Sequence, residues 1–126
     1  MGSTTVKLAV LNDDNQIVYA KYQRHHTDVR ACARDLFEGA ATVLPTAQMT
    51  CAITGSGGLL LSQWLDLEFV QEVIASKRAV ETLIPATDVA IELGGEDAKI
   101  IYFDNGIEQR MNGTCAGGTG AFIDQM

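Results

Sequence analysis

Asn112 to Gly120, read Asn-Gly-Thr-Cys-Ala-Gly-Gly-Thr-Gly, sets one cysteine in a glycine-rich loop directly ahead of a helical run, Ala121 to Met126. Glycine permits backbone geometries that turn several N–H groups toward one point, and a helix N-terminus adds partial positive charge there. A thiolate at Cys115, or a bound anion, would be stabilised. The same composition also suits a tight connection with no chemistry. Support for the chemical reading comes from earlier in the chain.

Gly2-Ser3-Thr4-Thr5-Val6-Lys7 and Gly94-Gly95-Glu96-Asp97-Ala98-Lys99 share a glycine and a lysine five residues apart, and each lysine opens an apolar, β-prone run. Both runs then meet a polar turn, Asn12 to Asn15 in the first and Asp104 to Gly106 in the second. They resume as strands at Gln16 to Gln23 and Ile107 to Met111, so both read as β-hairpins. A glycine-rich turn at a hairpin mouth exposes backbone donors, and Ser3, Thr4 and Thr5 add hydroxyls suited to phosphate oxygens or metal-bound water. Two such turns facing each other would clamp a polyphosphate. Lys7 and Lys99 also suit a solvated strand face.

Other reactive side chains read as structural. Cys32 falls inside a helical pattern and Cys51 in an apolar strand, where a cysteine is a small core residue. His25 and His26 lie in a polar stretch with no cysteine at ligand spacing and read as solvated loop residues. Asp13 and Asp14 are turn residues. Trp64 reads as a core or interface anchor.

The two glycine turns and the cysteine loop together resemble the actin-like ATPase superfamily. They look most like the ATP-dependent activators of 2-hydroxyacyl-CoA dehydratases and the related ATPase subunits of benzoyl-CoA reductases. That family's first phosphate motif, Asp-x-Gly-Ser-Thr-x-x-Lys, is matched by Gly2, Ser3, Thr4 and Lys7, with Thr5 in the next position. Its second, Asp-x-Gly-Gly-x-Asp-x-Lys, is matched by Gly94, Gly95, Asp97 and Lys99, with Glu92 replacing the leading aspartate. Its cysteine motif, Asn-x-x-Cys-Ala-x-Gly-Thr-Gly, is matched by Asn112, Cys115, Ala116, Gly118, Thr119 and Gly120. Ile53 to Gly57 resembles the family's Thr-Gly-x-Gly element. The first motif's aspartate would fall one position before Met1, and the family's second cluster cysteine and adenosine-binding glycines would lie beyond Met126. The resemblance therefore implies an N-terminal fragment, inactive in isolation.

The resemblance further implies a ribonuclease H-like, actin-like fold with a first lobe over 1–86 and a second beginning over 87–126. ATP and Mg²⁺ would be held by Gly2, Ser3, Thr4, Thr5, Lys7, Gly94, Gly95, Asp97 and Lys99, and Glu92 would act on the magnesium shell or the attacking water. Cys115 would be one ligand of a [4Fe-4S] cluster bridging a homodimer and incomplete in this chain. Its partners would be an electron-donor protein of the ferredoxin or flavodoxin type and a CoA-thioester dehydratase or reductase, which receives the electron. Two other readings are a sugar or carboxylate kinase of the same superfamily and a non-catalytic nucleotide-binding or interaction module.

These residues must be positioned by alternating helix and strand, a mixed α/β pattern. Thr27 reads as the cap of a helix with Val29, Ala33, Leu36, Phe37, Ala40 and Val43 on its apolar face, stopped by Pro45. Met49 to Thr54 reads as a short buried strand and Leu59 to Leu65 as a short helix. Asp66 reads as the cap of a longer helix carrying Phe69, Val70, Val73, Ile74, Lys77, Val80 and Ile84, stopped by Pro85. Val89 to Leu93 reads as a strand covered on both faces. The 126 residues are 47% hydrophobic, enough for a packed core, and the net charge of −7 argues against nucleic acid and anionic membrane as partners. No apolar run approaches the roughly 20 residues a bilayer needs. With three cysteines in no regular spacing, a cytoplasmic setting is expected.

Overall fold

Thr5 to Arg24 is stiff and β-branched at its start and rich in tyrosine and valine at its return, with a run of Asn and Asp between. In the computed structural model, which describes residues 1–46, 48–95, 97–103, 108–111, 119–123 and 126, that stretch forms an antiparallel hairpin. Its strands are β1 (Thr5–Leu11) and β2 (Ile17–Arg24), in register from Thr5 opposite Arg24 to Leu11 opposite Ile17, with an irregularity at Val10 and Leu11. Asn12 closes the turn. Its side-chain oxygen accepts from the amides of Asp14 (3.1 Å) and Gln16 (2.8 Å), the local bonding that makes asparagine a turn former.

The chain then enters α1 (Val29–Val43). Asp28, not Thr27, caps it: the Asp28 carboxylate accepts from the Ala31 amide at 2.9 Å. Thr27 is unsuited because its backbone is left-handed, φ 73°. The stripe Cys32, Ala33, Leu36 and Ala40 is buried, at the three- and four-residue spacing of one helix face, whereas Phe37 and Val43 are exposed. Val6, Cys32 and Leu36 form the core of this part, with Met1, Leu8 and Val29 packed around them. Cys32 thus has the expected core role, and burial, helped by Asp35 and Asp28, pushes its thiol pKa up and away from reactivity.

Residues 1–51 form one compact unit and 52–126 a second. The second opens with β3 (Ala52–Thr54), α2 (Leu59–Leu65) and β4 (Glu68–Val70), with β4 parallel to β3. Here the sequence reading needs correcting twice. Asp66 does not start a helix; it ends α2 in a left-handed conformation, φ 51°. Glu68, Phe69 and Val70 pair with Ala52, Ile53 and Thr54, and the following helix, α3, runs Glu72–Leu83. The aromatic and β-branched pair Phe69-Val70 suits a strand, and pairing with β3 outweighs the helical periodicity of three residues. Strand β3 is also shorter than Met49 to Thr54, and Cys51 lies just outside it, half-buried.

After α3 come β5 (Val89–Leu93), β6 (Ala98–Tyr102) and β7 (Glu108–Met111), an antiparallel sheet in that order, then a short α4 (Gly120–Ile123). The expected turn Asp104 to Gly106 lies outside the described residues. Strand β5 is not covered on both faces: Val89, Ile91 and Leu93, alternating along one face, are exposed. Its inner face carries Ala90 and Glu92. Ile101, on β6, is 1% exposed and anchors this sheet. Trp64 is 60% exposed, so it is no core residue.

Candidate functional site

Alternation along β5 sends Glu92 to the inner face of the sheet, and the antiparallel register sets it opposite Lys99 of β6. Between them the chain turns tightly, with the Gly94 amide donating to the Asp97 carbonyl at 2.8 Å. A side chain at Gly94 would place its Cβ 2.3 Å from an Asp97 carboxylate oxygen and 3.1 Å from the Asp97 carbonyl. A side chain there would push the Asp97 carboxylate aside and crowd its carbonyl, so glycine suits the turn.

Lys99 is 8% exposed, and its ammonium is held by three carboxylates: Glu72 at 2.8 Å, Asp97 at 3.3 Å and Glu92 at 3.7 Å. Burial alone would lower its pKa, but hydrogen bonding to Glu72 and Asp97 and the charges of Glu92 and Glu72 outweigh this and raise it. For Glu92 the balance differs. Burial, then the charge of Glu72, pushes its carboxyl above its ordinary value, with Lys99 pulling the other way. One Glu92 carboxylate oxygen is buried without a hydrogen-bond partner.

The cysteine motif reaches this turn through its last two residues. Thr119 is fully buried and its hydroxyl donates to the Gly95 carbonyl at 3.4 Å. The Gly120 amide donates to the Gly94 carbonyl at 2.8 Å, so α4 starts directly on this turn. A Cβ on Gly120 would lie 3.0 Å from that carbonyl oxygen. Gly120→Ala is therefore expected to strain this bond and to cost about 1–2 kcal/mol in chemical denaturation. An unchanged denaturation midpoint would show that α4 is not seated on the turn.

The other glycine turn belongs to the first unit. The Gly2 amide donates to the Thr5 carbonyl at 2.9 Å, and the Thr4 carbonyl accepts from the His25 amide at 3.2 Å. Ser3 is exposed, Thr4 half-buried and Thr5 buried. Lys7 stands exposed beside its cross-strand neighbour Tyr22, its ammonium 5.6 Å from the ring centre. His26 is solvated as expected. His25 instead links the turn to the start of α1: its ring Nδ1 accepts from the Thr27 amide and its carbonyl accepts from the Asp28 amide at 2.7 Å.

Glu92, Gly94, Gly95, Asp97 and Lys99 thus meet in one place, while Gly2, Ser3, Thr4, Thr5 and Lys7 form a separate turn in the other unit. Cys115 lies outside the described residues, and among the described residues no cluster of histidine, cysteine or carboxylate side chains is arranged to hold a metal ion. The residue that sequence reasoning missed is Glu72. Its signal was an acidic residue in a helix's first turn, hidden because the helix was started at Asp66. No helix among the described residues is long and apolar enough to cross a membrane.

The chain is 30% identical over its whole length to a 2-hydroxyisocaproyl-CoA dehydratase activator of Clostridioides difficile, covering 48% of that protein. It is 31% identical over its whole length to a (R)-2-hydroxyglutaryl-CoA dehydratase activating ATPase of Acidaminococcus fermentans, covering 50% of it. The chain thus spans about half the length of these curated relatives. Its whole fold also superposes, with a TM-score of 0.84 and 28% identity, on 48% of the solved activator of the 2-hydroxyisocaproyl-CoA dehydratase from Clostridium difficile with bound ADPNP. The mixed α/β architecture is that of the actin-like ATPases, as the motifs implied. With a glycine turn flanked by Glu92, Asp97 and Lys99, and a family match extending over residues 1–126, the chain belongs to the BadF/BadG/BcrA/BcrD ATPase family.

Proposed function

We propose that the protein carrying this chain is an ATP-dependent activator that passes an electron to a CoA-thioester dehydratase or reductase. The observation that carries the reading is the seating of Gly120, the end of the cysteine motif, on the carbonyl of Gly94, inside the turn that resembles a phosphate motif. A change in what the turn holds would thereby be felt at the start of α4, the helix that follows Cys115 in sequence. The dehydratase activators that the chain resembles, one of them solved with bound ADPNP, support it.

In this reading the turn at Gly94 and Gly95 offers backbone to the β and γ phosphates, and the turn at Gly2, Ser3, Thr4 and Thr5 offers a second set of donors. These two turns lie in lobes proposed at 1–86 and 87–126. Lys7 and Lys99 add positive charge to the two motifs. Asp97 and Glu92 fit a magnesium-bound nucleotide through their charge, and Glu92 orients the metal's water shell or the attacking water. Catalysis at the γ phosphate rests on this positioning and electrostatics. A [4Fe-4S] cluster, held in part by Cys115 and shared between two copies of the chain, supplies one-electron chemistry when bound. An electron donor of the ferredoxin or flavodoxin type serves it, in the cytoplasm.

ATP hydrolysis by the whole protein, assayed with and without sugars and short carboxylates, tests the reading. Hydrolysis to ADP and inorganic phosphate with no phosphorylated acceptor is expected. Stoichiometric transfer of phosphate to an acceptor would make the protein a kinase.

A further inference from the structure

Lys99 is expected to serve phosphate, yet its ammonium is already engaged by carboxylates. The shortest of its contacts, 2.8 Å to Glu72, joins residues 27 apart in sequence and ties α3 to β6. Glu92, directly opposite Lys99 in the sheet, is left with the longest contact, 3.7 Å, made by the same buried carboxylate oxygen, Oε2, that has no hydrogen-bond partner. Three carboxylates share one ammonium, so two negative charges are left over. The shortest contact goes to Glu72, which stands in the first turn of α3.

We propose that Glu72 is a positioning residue which, by holding Lys99, keeps the Glu92 carboxylate from closing onto that ammonium and leaves it free to act on water or the metal shell. The proposal rests on the role given to Glu92 above. Without the Glu72 charge, Lys99 is left to Asp97 at 3.3 Å and Glu92 at 3.7 Å, and the loose Glu92 pair is free to shorten. A carboxylate held in a direct ion pair is a poorer acceptor for anything else. A Glu72 that only tied α3 to the sheet would contribute stability and leave the turnover of each folded site unchanged.

The test uses the whole protein, with kcat and KM for Mg-ATP measured per nucleotide-binding site, counted by binding stoichiometry. Glu72→Gln is expected to lower kcat by about tenfold with KM within about twofold of the parent. Glu72→Asp keeps the first-turn charge but withdraws it by one methylene; it is expected to fold normally and to fall between the two. In a Lys99→Met background, Glu72→Gln is expected to have no further effect on kcat, because the ammonium through which Glu72 acts is gone. Parental kcat in both Glu72 variants, in a protein whose Glu92→Gln form has lost turnover, would overturn the proposal and leave the reading of Glu92 standing. Parental kcat in Glu92→Gln would overturn both.

Discussion

Glu92→Gln is expected to cut ATP turnover of the whole protein by a factor on the order of 10², while raising its melting temperature at neutral pH. The two effects share a cause. Glu92 is a carboxylate held partly buried beside two others, with one ammonium among them. Its pKa in the folded protein is raised, first by burial and then by Glu72. A group whose folded pKa lies above its unfolded value contributes stability that is complete below the unfolded pKa and is lost as pH rises through the folded one. Above that value the charged Glu92 is a burden on folding, and the isosteric amide removes it. The gain in melting temperature should therefore shrink as the pH is lowered to about 4, where the native carboxyl is itself protonated. Equal turnover in the two proteins would make Glu92 an ordinary residue at the end of a strand. A melting temperature lower in the variant at every pH would show that pairing with Lys99 dominates.

Cys115→Ser is expected to have the largest effect of any single substitution: complete loss of the visible charge-transfer absorption and of bound iron from protein reconstituted anaerobically with iron and sulfide. In the sequence, Cys115 alone of the three cysteines falls in a glycine-rich stretch ahead of α4. Cys32 is buried at 3% exposure against Val6 and Leu36, where the neutral thiol is favoured, and Cys51 is half-buried at the edge of β3. Cys32→Ala and Cys51→Ala should keep full iron and lose at most about 1 kcal/mol of stability. A full complement of iron in Cys115→Ser would end the redox half of the proposal.

Much of this architecture could be read from the residues, and the failures are instructive. Helix α2 was legible over Leu59–Leu65, and so were β5 over Val89–Leu93 and the paired glycine-to-lysine turns, because their periodicity or turn chemistry is local. Strand β4 was not legible. Three residues carry too little pattern, and Phe69 and Val70 also fit the apolar face of the helix that follows; only pairing with Ile53 and Thr54 decides between them. That slip concealed Glu72, since a helix begun at Asp66 makes it an unremarked interior position. The partners of Lys99 were equally beyond reach, because Glu72 comes from a distant element and no spacing rule joins them. The exposure of Val89, Ile91 and Leu93 was missed because an apolar run does not reveal which of its two faces another element covers. The site motifs were legible as short backbone signatures, whereas the seating of Thr119 and Gly120 on the turn is a tertiary contact across roughly 25 residues of chain.

The central claim is that ATP hydrolysis at the Gly94 turn drives an electron onward. It is tested most directly by mixing the reduced, iron-reconstituted whole protein with a 2-hydroxyacyl-CoA dehydratase and following dehydration of the acyl-CoA. The measurement is made with ATP, with a non-hydrolysable analogue and with no nucleotide. Dehydratase activity that appears with ATP alone, accompanied by reoxidation of the cluster and a rise in its visible charge-transfer absorption, is the result predicted. Equal activity in all three mixtures, or ATP consumed with the cluster left reduced, would contradict it.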